Sequence, residues 1–143
     1  MLPVVSEFRL LRTVSARGHH PNVLIVCEDR LADSVVARVT RWSARPVHTC
    51  APDAWRLPMD AGGTLVVSDI GSLTPHQQNS LFHWMSAHGQ RTQVVSVARP
   101  DRQPHIGDGA FSEALFFRLN ILQIEISCRQ PGSTSSLGMA LAG

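Results

Sequence analysis

Ala61-Gly62-Gly63-Thr64-Leu65-Val66-Val67-Ser68-Asp69-Ile70-Gly71 is the stretch whose reading decides the fold. A Gly-Gly turn feeds an apolar run, and the run ends on a hydroxyl, an acid and a glycine. Four consecutive residues with no polar alternation predict a strand buried on both faces, as in parallel sheets. Such a strand delivers Ser68 and Asp69 to its carboxyl end, where ligands bind in open α/β sheets.

Working outward, the chain alternates strand and helix signals. Strands are predicted at 22–27, 46–50, 64–68, 93–98 and 120–126, and helices at 31–44, 74–89 and 111–118. Val35, Val36, Val39 and Trp42 fall on the inward side of the first of these helices. The second has Thr74 as its cap, Pro75 in its first turn and Gly89 at its end, with Leu81, Trp84 and Met85 on one face. A further short amphipathic helix is predicted at 4–15, carrying Phe8, Leu11 and Val14. The alternation argues for a parallel sheet sandwiched by helices. The segment 131–143 is rich in Ser, Gly and Ala and reads as a flexible tail.

The stretch from Gly62 to Gly71 resembles the Walker B segment GGTLFLDEIG of the sigma-54-dependent transcriptional activators, the AAA+ ATPases called bacterial enhancer-binding proteins. Val23-Leu24-Ile25-Val26-Cys27-Glu28-Asp29-Arg30-Leu31-Ala32-Asp33-Ser34-Val35-Val36-Ala37-Arg38 is similar to the family's phosphate loop, VLIxGESGTGKELVAR. Phe111-Ser112-Glu113-Ala114-Leu115-Phe116-Phe117-Arg118-Leu119-Asn120 is similar to its FREDLYYRLN segment, and Gln93 to Arg99 fits its sensor strand. The resemblance covers roughly residues 5 to 126. It implies a three-layer αβα P-loop NTPase-like core with a parallel five-stranded sheet in the order 5-1-4-3-2. It also implies a degenerate AAA+ (sigma-54 interaction-like) domain over 1–130, without the helical lid, the GAFTGA loop or a helix-turn-helix.

The residues that carry the family's chemistry are replaced. Glycine positions of the phosphate loop hold Cys27, Arg30 and Ala32, and the lysine position holds Asp33. A Lys-to-Asp reversal beside a polyanion trades an attraction for a repulsion, each worth about 4 kcal/mol at ~4 Å and an effective dielectric of ~20. Ser68 and Asp69 stand where the family has Asp and Glu for Mg²⁺ and the attacking water. Ala98 and Arg99 replace the sensor pair, and Ser112 replaces the first of two arginines that reach a neighbour's nucleotide. Arg118 matches the second. The vestigial nucleotide site is therefore Cys27, Glu28, Asp29, Arg30, Ala32, Asp33, Ser34, Ser68, Asp69 and Arg99, with Arg118 as a possible subunit-interface residue. Two readings of Asp29 and Asp33 stay open: capping acids at a helix start, or an internal anion where phosphate would sit.

No catalytic residue, metal site or cofactor is expected; ATP and Mg²⁺ would enter only if the altered site still worked. The expected function is a pseudo-ATPase, a response-regulator-like module in transcription regulation. Its partner would be a second copy or an active AAA+ activator. The alternatives are a weak ATPase using Asp69 and Arg118, and a remnant without selected activity.

Composition bounds the rest. With 143 residues and 43% hydrophobic content, one domain with one core is expected. A net charge of +2 without a basic stripe predicts no direct DNA binding. No run approaches the roughly 18 apolar residues of a bilayer span and no signal peptide is evident, so a cytoplasmic location is expected. Cys27, Cys50 and Cys128 lack a C-x-x-C spacing and read as free thiols. His83 and His88 are five apart, a poor spacing for two ligands on one helix face. Ser68 and Asp69 lack a G-x-S-x-G elbow. Trp55, in the short link after 50, is a candidate exposed apolar patch.

Overall fold

The computed structural model describes residues 21–60, 62–126 and 138–141. The predicted helix at 4–15 lies outside them. Five parallel strands are β1 (Val23–Cys27), β2 (Val47–Cys50), β3 (Thr64–Val67), β4 (Gln93–Ala98) and β5 (Leu122–Ile126). They lie in the order β2-β3-β4-β1-β5, the expected winding. β1 pairs with β4 on one side, Val23 opposite Val95, and with β5 on the other, Val23 opposite Leu122. A sixth strand, β6 (Gly138–Leu141), adds to β5 in antiparallel sense. It lies inside the segment read as a flexible tail, whose backbone thus supplies the ladder partners of that edge.

The helices are α1 (Ala32–Trp42), α2 (Pro75–His88) and α3 (Glu113–Leu119). Strand parity separates two cores. Val23, Ile25 and Cys27 of β1 join Val35 and Val39 of α1 on one face. Leu24 and Val26 join Leu81, Trp84 and Met85 of α2 and Leu115 and Leu119 of α3 on the other. Every residue of β1, β3 and β4 is buried, which is why these strands show no polar alternation.

Local chemistry sets the boundaries. Thr74 Oγ1 accepts from Gln77 N–H at 3.1 Å while Gln77 Oε1 accepts from Thr74 N–H at 3.0 Å, a reciprocal cap that starts α2 ahead of Pro75. Gly63 has φ +68°, and a Cβ there would collide with the Pro46 backbone. Its lack of a side chain lets the loops at the amino ends of β2 and β3 close on each other, and Thr64 N–H donates to Pro46 O at 2.9 Å.

One inward assignment needs correction. Val36 is partly buried and packs against the core as expected, but Trp42 is 38% exposed. α1 ends at Trp42, and the buried place one residue later goes to Ser43, so the periodic pattern outruns the helix. Trp55 is half-buried against the α2 face rather than forming an exposed patch. The fully solvated apolar side chain of that link is Met59, 91% exposed.

Candidate functional site

The carboxyl ends of β1, β2, β3 and β4 open into a cleft of about 400 Å³. Five of the sequence-derived residues line it: Ala32 and Asp33 at the start of α1, Ser68 and Asp69 after β3, and Arg99 after β4. Asp53, just beyond β2, also lines it and was missed by sequence reading. Its signal was its place within three residues of a strand's carboxyl end. Val36, Ala51, Pro52 and Val97 supply apolar wall between the charges.

The loop from β1 to α1 runs beside this cleft as a short 3-10 turn, Asp29–Leu31. Asp29 reaches Arg99, with Oδ1 2.6 Å from Nε. A carboxylate of the β1 loop is thereby tied to a guanidinium of the β4 loop. Arg30 turns instead to Glu28, Nε donating to Oε2 at 2.8 Å on the surface. Ser34 is exposed and lies outside the cleft lining. Asp33 makes no ion pair among the described residues; it sits in the first turn of α1, where a carboxylate faces the positive helix end.

Cys27 closes β1 from below, 1% exposed. Burial pushes its thiol up to about 11; Arg99 opposes this, and the negative Asp29 and Glu28 add to it. The group is a neutral packing residue at pH 7, not a nucleophile. The buried Cys50 thiol is raised as well, first by burial.

Asp69 adopts a left-handed conformation, φ +50°, which Asp tolerates better than most residues. Its Oδ1 stands 3.5 Å from Arg102 Nε, a long ionic contact without a hydrogen bond. Gly71 follows at a close approach, since a Cβ there would run into the Arg102 carbonyl. The β3 and β4 loops therefore lock together by backbone contact and charge, while Asp29 ties the β1 loop to the same unit.

Arg118 lies far from this cleft, at the opposite end of the sheet. Its Nη1 donates to Ser86 Oγ at 2.7 Å, and its guanidinium carbon sits 4.3 Å from the Phe82 ring centroid. Its carbonyl accepts from Asn22 Nδ2 at 2.8 Å, where β1 begins. Arg118 is thus held between α2 and α3 of its own chain. Among the described residues no three His, Cys, Asp or Glu side chains are grouped to hold a metal ion. Nor is any helix among them long and apolar enough to cross a membrane.

No family model matches the chain, and no curated protein does. Solved structures do. NtrX from Brucella abortus, solved with ADP, superposes with a TM-score of 0.63 at 16% identity, over 85% of this chain and 35% of that one. A variant of Thermotoga maritima RuvB gives 0.57 at 15% identity, over 87% and 44%. The Thermotoga maritima RuvB Holliday junction branch migration motor gives 0.53 at 14%, over 87% and 43%. The chain spans less than half the length of each of these proteins. With five parallel strands and helices in three layers, it has the α/β fold of a P-loop NTPase core.

Proposed function

We propose that this chain is a non-catalytic regulatory or interaction module built on an AAA+ core of the sigma-54 activator type. One observation carries the reading: the cleft at the strand ends is furnished with carboxylates where a nucleotide would need cations. Asp33, Asp53 and Asp69 line it, and its one lining guanidinium, Arg99, is already engaged by Asp29. Brucella abortus NtrX was solved with ADP. A polyphosphate entering the present cleft would meet three like charges and would have to displace Asp29 from Arg99. Each like-charge contact at ~4 Å costs on the order of 4 kcal/mol at an effective dielectric of ~20, so the contacts together cost more than one freed arginine returns.

The Asp29–Arg99 pair favours the internal-anion reading for Asp29, while Asp33 keeps the position of a helix-start acid. The loop cluster then needs no ligand to fold. The module acts by contact, with a second copy or with an active AAA+ activator as its partner, and without Mg²⁺ or ATP. Isothermal titration with Mg-ATP and Mg-ADP tests this. No binding is expected at sub-millimolar nucleotide, and a micromolar Kd would overturn the reading. Asp33→Lys alone is expected to leave hydrolysis absent, because Ser68, Asp69 and Arg99 stay unsuited to Mg²⁺ and water.

A further inference from the structure

Charge is sorted by the topology. All five parallel strands point one way, so every loop after a strand emerges at one end of the sheet and every loop before a strand at the other. The carboxyl end collects Asp29, Asp33, Asp53 and Asp69. Three of its arginines are spent locally, Arg30 on Glu28, Arg99 on Asp29 and Arg102 on Asp69, and Arg56, in the link after β2, lines a separate hollow with His48 and Thr49 outside the cleft. Asp33 and Asp53 are left without an ion pair among the described residues, both exposed and both lining the cleft.

The amino end is the reverse. Arg41 lies in the last turn of α1, Arg45 in the turn before β2 and Arg91 just before β4. The loops bearing them are joined there: Thr64 Oγ1 donates to Ala44 O at 2.9 Å and Gly62 N–H to Thr92 Oγ1 at 2.7 Å. All three arginines are exposed, and none makes an ion pair among the described residues. Among the described residues, Asp60 is the acid of that region. Central strands of five to six residues hold the two ends about 17–20 Å apart, roughly twice the Debye length at 0.1 M salt. The opposite charges therefore do not neutralise one another within one molecule.

We propose that this bipolar surface is a head-to-tail interface between copies of the chain. Arg41, Arg45 and Arg91 of one copy meet the Asp33–Asp53 cleft at the strand ends of the next. This deepens the module reading above and rests on it, because the cleft is open to a neighbour's guanidinium only if no nucleotide fills it. Arginine suits the cleft: the planar head pairs with carboxylates while the aliphatic stem lies along Val36, Ala51 and Pro52. A two-fold end-to-end dimer is disfavoured, since it would face acids with acids or arginines with arginines. The interface is heterologous, so it does not close after two copies and the assembly grows with concentration.

Sedimentation velocity of the whole chain tests it, with circular dichroism confirming that each variant folds. Wild type in 20 mM salt is expected to gain mass with concentration and to return to monomer in 500 mM salt. Asp33→Asn with Asp53→Asn disables one face, and Arg41→Gln, Arg45→Gln and Arg91→Gln together disable the other without creating a new opposite charge; all five positions are exposed. Each variant alone should associate at least about tenfold more weakly, as expected for loss of close charge contacts. Mixed one to one, they should form a dimer that grows no further, because one keeps an intact head and the other an intact tail. A monomeric wild type at high concentration, association unchanged in either variant, or a mixture that stays monomeric overturns the proposal. Nucleotide titration in the same buffer separates the two claims. Micromolar Mg-ATP binding removes the module reading, whereas a monomer that ignores ATP removes the head-to-tail interface alone.

Discussion

Removing the Asp29–Arg99 pair tests whether a side-chain link holds the β1 loop in place of a ligand. The two groups meet at 2.6 Å, with the Arg99 side chain 31% exposed and Asp29 65% exposed. In a fully aqueous medium that separation gives about 1.6 kcal/mol of attraction, and immobilising two side chains takes back part of it. The net coupling should be about 0.5–1 kcal/mol. Asp29→Ala, Arg99→Ala and the double variant would be unfolded in urea at 20 and 500 mM salt. The double variant should be less destabilised than the sum of the singles by that amount, and the difference should shrink by half or more at high salt. Global stability is the blunter readout. Amide exchange over residues 27–31 should rise in both single variants, with protection of β3 and β4 unchanged. A coupling under 0.2 kcal/mol at low salt, or unchanged exchange in the loop, would show that the backbone alone sets the loop.

Further outcomes follow from the same geometry. Gly71→Ala should destabilise by about 1–3 kcal/mol, because its Cβ must push the Arg102 carbonyl aside; an unchanged urea midpoint would refute the close approach. Thr74→Ala should cost about 1 kcal/mol through loss of the α2 cap, with Thr74→Ser recovering most of it. Cys27 carries a pH signature. Its folded pKa, about 11, lies above the ordinary 9.0, so only the unfolded thiol ionises first as pH rises. Its contribution is fully present below pH 9 and is lost between pH 9 and 11. The loss totals about 2–3 kcal/mol for two units. In Cys27→Ala that alkaline decline should flatten, and a profile identical to wild type would contradict the assignment.

Much of the frame was legible in the one-dimensional pattern. Val23–Cys27, Thr64–Val67 and Gln93–Ala98 are unbroken by charge because both faces of a central parallel strand are covered by helices. Thr74, Pro75 and Gln77 announced the start of α2 because capping involves only neighbours in the chain. Ser68 and Asp69 could be placed at the strand ends because they follow directly on β3, and a parallel sheet gathers such positions at one end, whereas Asp33 and Arg99 were reached through the resemblance to a phosphate loop and a sensor strand.

Contacts between distant segments were decided only by the tertiary structure. Arg99 finds Asp29 because β4 lies beside β1, an adjacency that the order of elements along the chain does not display. Asp53 joins the cleft because β2 is short and its exit loop folds back over the strand ends. Arg118, exposed on α3, meets Phe82 and Ser86 of α2 because α2 and α3 pack on the same face of the sheet. Periodicity and capping are local and survive in the sequence alone. Charge pairing across strands depends on which ends the fold brings together, and that is known only when the sheet has formed.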